Sequence, residues 1–207
     1  MSNPPSAKVP QPGRYAERYE RIISRGYTLC GKMVPMPPRK SIRPAYRLIP
    51  EMVPSDLWGR SAYRMLGGKA AWRKQIRPDA LAKAKDQCET CGESSGSLIC
   101  HDKWVYDDKK AIATLSGFEI HCRGCDSVTH IGRMVAIGAD PTPIFEHLCR
   151  VNKCKFQEAV TTIDDAAVLW EKRDKKKWKI VVAPALLKKY PELAALPNFK
   201  PAVAGYA

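Results

Sequence analysis

The sequence lacks any apolar run approaching the roughly 20 residues that a membrane-spanning helix needs. Stretches such as 135–137 and 180–183 are only a few residues long. Residues 1–13 are rich in Pro and Ser and carry no continuous apolar segment, so no secretory signal is expected there and the expectation is a cytoplasmic protein. Acidic residues are scarce: 21 Asp and Glu stand against 35 Lys and Arg, a formal charge of +14. Such a surface favours phosphate-rich partners through counterion release, DNA before RNA. The plainer readings are a merely basic protein or one that sits against an acidic protein. No internal repeat is visible, and 207 residues suit one ordinary domain with extensions.

Composition divides the chain into three parts. Residues 1–43 are Pro-rich and strongly basic, reading as an extended arm with one short helix at 16–24, placed on nucleic acid or a larger nucleoprotein complex, or simply a tail. Residues 44–183 carry the periodic apolar positions of a folded domain. Within it, Trp58, Tyr63, Leu66, Trp72 and Ile76 suit helices packed on a core. Strands are expected at 98–101, 118–120 and 178–182, and a helix at 125–137 ending before Gly138. Thr142 and Pro143 read as the cap and first turn of a further helix. The three-and-four spacing of Phe156, Val160, Ile163, Ala167 and Trp170 predicts the buried stripe of another. The basic run 172–179 reads equally as a solvated turn or a phosphate contact. Residues 184–207 form an Ala-, Leu- and Pro-rich tail with no clear fold.

Eight cysteines without a secretory signal argue for metal ligation over a disulfide framework. Cys88-Glu-Thr-Cys91 and Cys122-Arg-Gly-Cys125 each place two sulfurs on a tight knuckle, and two knuckles supply the four thiolates of a structural, tetrahedral zinc site. Gly92 and Gly124 fit such turns, by positive φ or by close backbone approach. Cys149 and Cys154 read as small core residues.

Beside the second knuckle, Asp126 and His130 stand four apart, on one face of a helix beginning there, where they can share a metal ion. A hairpin packed on that helix brings His101 to the same face. His101 there can act as general base on water, while a divalent ion on Asp126 and His130 stabilises the leaving oxygen of a phosphodiester. Arg133, one turn on, can hold a phosphate, and Lys103 and Arg123 are further candidates for nucleic-acid contact. Each also has a plainer reading: His101 as a core histidine, Asp126 as a helix-dipole carboxylate, His130 as a side chain bonded to a carbonyl. Trp104 and Tyr106 read as packing beside the knuckle.

The order CxxC, Cys-His-Asp-Lys-Trp-Val-Tyr-Asp-Asp, CxxC-x4-His resembles the zinc-knuckled HNH endonucleases, and in particular a bacterial HNH-like group. The matching segments are 44–50, 58–61, 88–92, 100–108, 122–130 and 147–152, so the resemblance spans 44–182. It implies an α+β fold with a ββα-metal core, a four-cysteine zinc site and surrounding helices. It implies that His101 is the general base, that Asp126 and His130 hold the catalytic ion, and that Asp107 or Asp108 orients the base or holds the metal. The sequence departs from the family pattern at Asp126, where histidine is usual and where a carboxylate shifts preference towards magnesium or manganese. Cys100 stands where Asp or His usually precedes the base, the middle asparagine has no clear counterpart, and His121, replacing an apolar residue before the second knuckle, can simply face solvent.

Two functions follow from these readings. One is an HNH-like endonuclease hydrolysing phosphodiester bonds in DNA. The other is a catalytically inactive zinc module, nucleic-acid-binding or adaptor, within a nucleoprotein complex.

Overall fold

The computed structural model describes residues 46–66 and 70–200. The arm at 1–43 with its expected helix, and the last seven residues of the expected tail, lie outside the described residues.

The fold is α+β, built on a three-stranded mixed sheet in the order β1-β2-β3. Strands β1 (Leu98–Asp107) and β2 (Ile112–Cys122) form one antiparallel hairpin, and β3 (Lys179–Val182) pairs parallel with the start of β2. Asp107 shapes the hairpin turn by accepting from the N–H groups of Lys109 and Lys110. The strands run much further than 98–101 and 118–120. The ladder steps over a bulge between Lys103 and Trp104, which breaks the simple alternation that would have marked one continuous strand.

Helices α1 (Ala62–Leu66) and α2 (Arg77–Lys83) precede the sheet, with a π-type turn at Trp72–Ile76 leading into α2. Ser61 Oγ accepts from Arg64 N at the start of α1. After the hairpin come α3 (Arg123–Thr129), α4 (Ile131–Ala136), α5 (Thr142–Asn152) and α6 (Phe156–Asp174). The single helix expected over 125–137 is therefore two, broken at His130, whose φ of −101° and ψ of 34° leave the helical region. The first begins earlier than expected because Cys122 Sγ accepts from Cys125 N, making the cysteine its own cap.

Two apolar clusters flank the sheet. One gathers Leu115, Phe118 and Ile120 of β2 with Trp72, Ile76 and Trp178. The other gathers the knuckle cysteines with Val128, Ile131, Phe145, Leu148 and Ile163. Val160, Ile163 and Trp170 are buried along α6 as their spacing requires. Tyr63 departs from expectation: it is 54% exposed, its ring set edge-on to Trp72.

The segment beyond residue 183 also departs from expectation. Helix α7 (Pro184–Lys189) and a 3-10 turn at Pro191–Asn198 carry Tyr190, Leu193 and Leu196 into the first cluster. Three residues per turn put Leu193 and Leu196 on one face, a period the composition of the segment conceals. Tyr190 OH donates to Asp79 at 2.7 Å and ties the segment to α2.

The basic run 172–179 is anchored within the fold. Arg173 clasps Asp108 with two hydrogen bonds, Lys177 pairs with Asp56, and Trp178 N donates to Asp56. Among the described residues, no helix is long and apolar enough to cross a membrane.

Candidate functional site

Cys88 and Cys91 sit on the knuckle before β1, Cys122 ends β2, and Cys125 lies in the first turn of α3. One donor sulfur from each lies within 4.8 Å of the other three, and Cys91 and Cys122 approach to 3.5 Å. Four sulfurs at the usual zinc–thiolate distance of about 2.3 Å stand about 3.8 Å apart, so the four-cysteine group fits a tetrahedral zinc ion. Its chemistry asks for a cation. Hydrogen bonding from Cys125 draws Cys88 down to about 4, whereas burial pushes Cys91 up to about 11, and the bond to Cys88 raises Cys125. A divalent ion is what makes joint ionisation of four crowded sulfurs favourable. Gly92 turns the first knuckle with φ +80°, and its N–H donates to Cys88 O.

Gly124 is required for a different reason. A Cβ built there would lie 2.5 Å from the ring of His147, so the absence of a side chain lets α5 lay this imidazole against the knuckle. His147 Nε2 stands 3.2 Å from Cys125 Sγ and 4.0 Å from Cys122 Sγ, and Arg150 Nη2 stands 2.7 Å from His147 Nδ1. The sequence signal was present in the order His-x-x-Arg, one turn of a helix, but nothing in the sequence pointed that turn at the cysteines.

On the opposite side of α3 lies an imidazole cluster. His101 faces Glu119 across the hairpin, and its ring stacks on His121 at 5.1 Å and tilts against His130 at 4.7 Å. Asp126 Oδ1 is 3.8 Å from His130 Nε2, so the i, i+4 pair does share a face despite the break between α3 and α4. His101 is 7% exposed, and burial followed by the neighbouring His130 and His121 lowers it to about 3, leaving a neutral ring. Burial also lowers His130. The Nδ1 atoms of His101 and His121 are buried with no hydrogen-bond partner among the described residues. Donor atoms of His101, Asp126 and His130 do not converge as the four sulfurs do: among the described residues, the cysteines form the one group of three or more whose ligand atoms meet.

His101, Asp126, His130 and Arg133 line one cleft of about 590 Å³, whose walls also carry Arg60, Arg64 and Arg77. The three additional arginines come from the segment before the sheet, and sequence reasoning missed them. Lys103 is exposed and pairs with Glu119, whose carboxyl is held down at about 2, first by its hydrogen bond to His121. Arg123 is exposed at the start of α3 and does not line this cleft.

Two expectations are corrected. Asp107 shapes the hairpin turn and Asp108 is clasped by Arg173, so neither reaches His101. Asp107 lies six steps along β1 from His101, about 20 Å at 3.3 Å per residue. His121 faces inward at 4% exposure because it shares the face of β2 that carries Glu119 and packs towards α3. Cys100, next to the expected base, packs against the first apolar cluster, and burial raises its thiol to about 12. Comparison with protein-family models, with curated proteins and with solved structures finds no match to this chain.

Proposed function

We propose that this chain is an HNH-like, metal-dependent endonuclease hydrolysing phosphodiester bonds in DNA, its ββα core stapled by a structural zinc ion. The observation that carries the reading is the meeting of His101, Asp126 and His130 in one cleft with Arg60, Arg64, Arg77 and Arg133. Arg60 donates Nε and Nη2 to Phe199 O and Pro197 O and Arg77 donates Nη2 to Leu98 O, and the positive charge these groups still bring to the cleft attracts a phosphate backbone. His101, neutral in its buried setting, accepts the proton of the attacking water at an imidazole nitrogen. Asp126 and His130 would hold a magnesium or manganese ion, which would offset charge developing on the leaving oxygen.

One observation favours a second reading, a non-catalytic zinc module that binds nucleic acid. The base, Asp126 and His130 do not present a converged donor set, and Cys100, Asp107 and Asp108 are all committed elsewhere.

The test is nicking of supercoiled plasmid by zinc-loaded protein with magnesium, manganese or nickel, beside His101→Ala with its zinc content checked. Cleavage by the parent that disappears in the variant is the expected result. Salt-sensitive binding without cleavage under any of the three ions would move the function to the second reading.

A further inference from the structure

His147 belongs to neither the four sulfurs nor the cleft, yet it is 9% exposed and lies against the metal centre. The hydrogen-bonding role of each ring nitrogen follows from the atom it meets. A guanidinium only donates, so the 2.7 Å contact from Arg150 makes His147 Nδ1 an acceptor. A neutral imidazole with an accepting Nδ1 carries its proton on Nε2, and Nε2 is the atom 3.2 Å from Cys125 Sγ. The contact is therefore an N–H donated to sulfur. It also excludes ligation by His147, because the Nε2 lone pair a metal would need is replaced by a hydrogen. Gly124 leaves the space for the ring, and Cys122 Sγ at 4.0 Å places the same donor near a second sulfur.

We infer that His147, oriented by Arg150, is an outer-shell donor to the Cys125 thiolate that tunes the charge and reactivity of the four-sulfur centre. Zinc with four thiolates carries a net charge of −2 in a largely buried site. An N–H aimed at one sulfur draws off part of that charge, lowers the sulfur's nucleophilicity and strengthens retention of the ion. Arg150 fixes the tautomer and brings positive charge one shell further out. His147 and Arg150 are thus positioning residues for the metal, independent of any activity in the cleft.

The experiment uses the full chain with cobalt(II) substituted for zinc, comparing the parent with His147→Ala, His147→Gln and Arg150→Leu. In the parent and in His147→Ala, sulfur-to-cobalt charge-transfer intensity should equal that of four thiolates. In His147→Ala the band should move to lower energy, because a sulfur without its N–H is a better donor. Zinc affinity by chelator competition should fall about 10- to 100-fold in His147→Ala, with faster alkylation of zinc-bound thiolate by iodoacetamide. His147→Gln, which keeps an N–H donor, should recover most of both effects, and Arg150→Leu should show a smaller shift in the same direction. Three-sulfur intensity in the parent would make His147 a ligand and overturn the inference. An unshifted band with unchanged alkylation would overturn it too, by reducing the contact to packing. Should His147→Ala fail to hold cobalt, the Gln and Leu variants decide the matter by the same two readings.

Discussion

Asn152 grips Leu48 by both of its backbone groups: Leu48 N donates to Oδ1 at 3.0 Å, and Nδ2 donates to Leu48 O at 2.7 Å. An amide at the end of α5 thus completes the hydrogen bonding of a segment that has no sheet to join, and Leu48 is buried at 2% in consequence. Asn152→Ala leaves a buried N–H and C=O without their partners and should cost about 2–3 kcal/mol. Asn152→Asp, which loses the donor and adds a charge, should cost no less. Denaturant midpoints at constant m-value measure both.

Zinc removal should unfold more than the knuckles. Cys88, Cys122 and Cys125 sit inside the cluster that holds α3, α5 and α6 together, so stripping the ion or substituting Cys88→Ser leaves uncompensated sulfur at the centre of a core. Near-UV circular dichroism should collapse as zinc is chelated, with one equivalent of zinc released, and Cys88→Ser should show that signal from the outset.

Gly124 and His147 should be energetically coupled. Gly124→Ala drives a methyl group to within 2.5 Å of the imidazole and should cost about 1–3 kcal/mol through forced displacement of the ring. In a His147→Ala background the clash is gone and alanine's better helix propensity should make the same change neutral or favourable. A double-mutant cycle in denaturant reads the coupling, and additive losses would count against the contact.

Asp102 sets a pH dependence. Its carboxylate is 8% exposed, accepts from Ala62 N at 2.8 Å, and is pushed by burial from 3.8 up to about 6. The folded state therefore holds this proton more tightly than the unfolded chain, and stability falls as pH rises from about 4 to about 6. Above that window the ionised group carries a cost of about 3 kcal/mol. Asp102→Asn keeps the acceptor for Ala62, so it should stabilise the protein by up to that amount near pH 8 and change little near pH 4. Urea melts at the two values check the sign.

On the proposed reading, Arg64 and Arg133 face phosphates across the cleft. Replacing each with Ala should lower the slope of log affinity for DNA against log salt by about one and weaken binding to all sequences alike. Fluorescence anisotropy over a salt series measures it. An unchanged slope would remove the cleft as the DNA path while leaving the zinc centre untouched.

The residues legible in the sequence were those whose partners are near in the chain or whose period is regular. The CxxC pairs declared the four-sulfur group, the stripe on α6 declared its buried face, and Asp126 and His130 met because four residues make a helical turn. What stayed hidden depends on distant juxtaposition. His147 reaches the knuckle only through the packing of α5 on α3, and Arg60, Arg64 and Arg77 reach the cleft only through packing of the segment before the sheet. Asp107 and Asp108 were misread because motif order brings residues close in sequence, whereas an extended strand carries them apart. His121 was misread because the expected strand stopped at 120, whereas β2 runs on to Cys122 and its alternation puts His121 on the face of Glu119.

The parallel pairing of β3 with β2 has a consequence for the order of assembly. The four cysteines and the whole hairpin are available once residue 125 has been made, so the metal centre can close on a nascent chain. The outer edge of β2 at residues 112–115 must then wait for residues 179–182, with α3 to α6 synthesised in between. Until that strand arrives, Leu115 and its neighbours lack their lid, and the half-built chain presents an open sheet edge to any other chain nearby. A chain that stops before residue 179 keeps all four cysteines but leaves that edge of β2 uncovered.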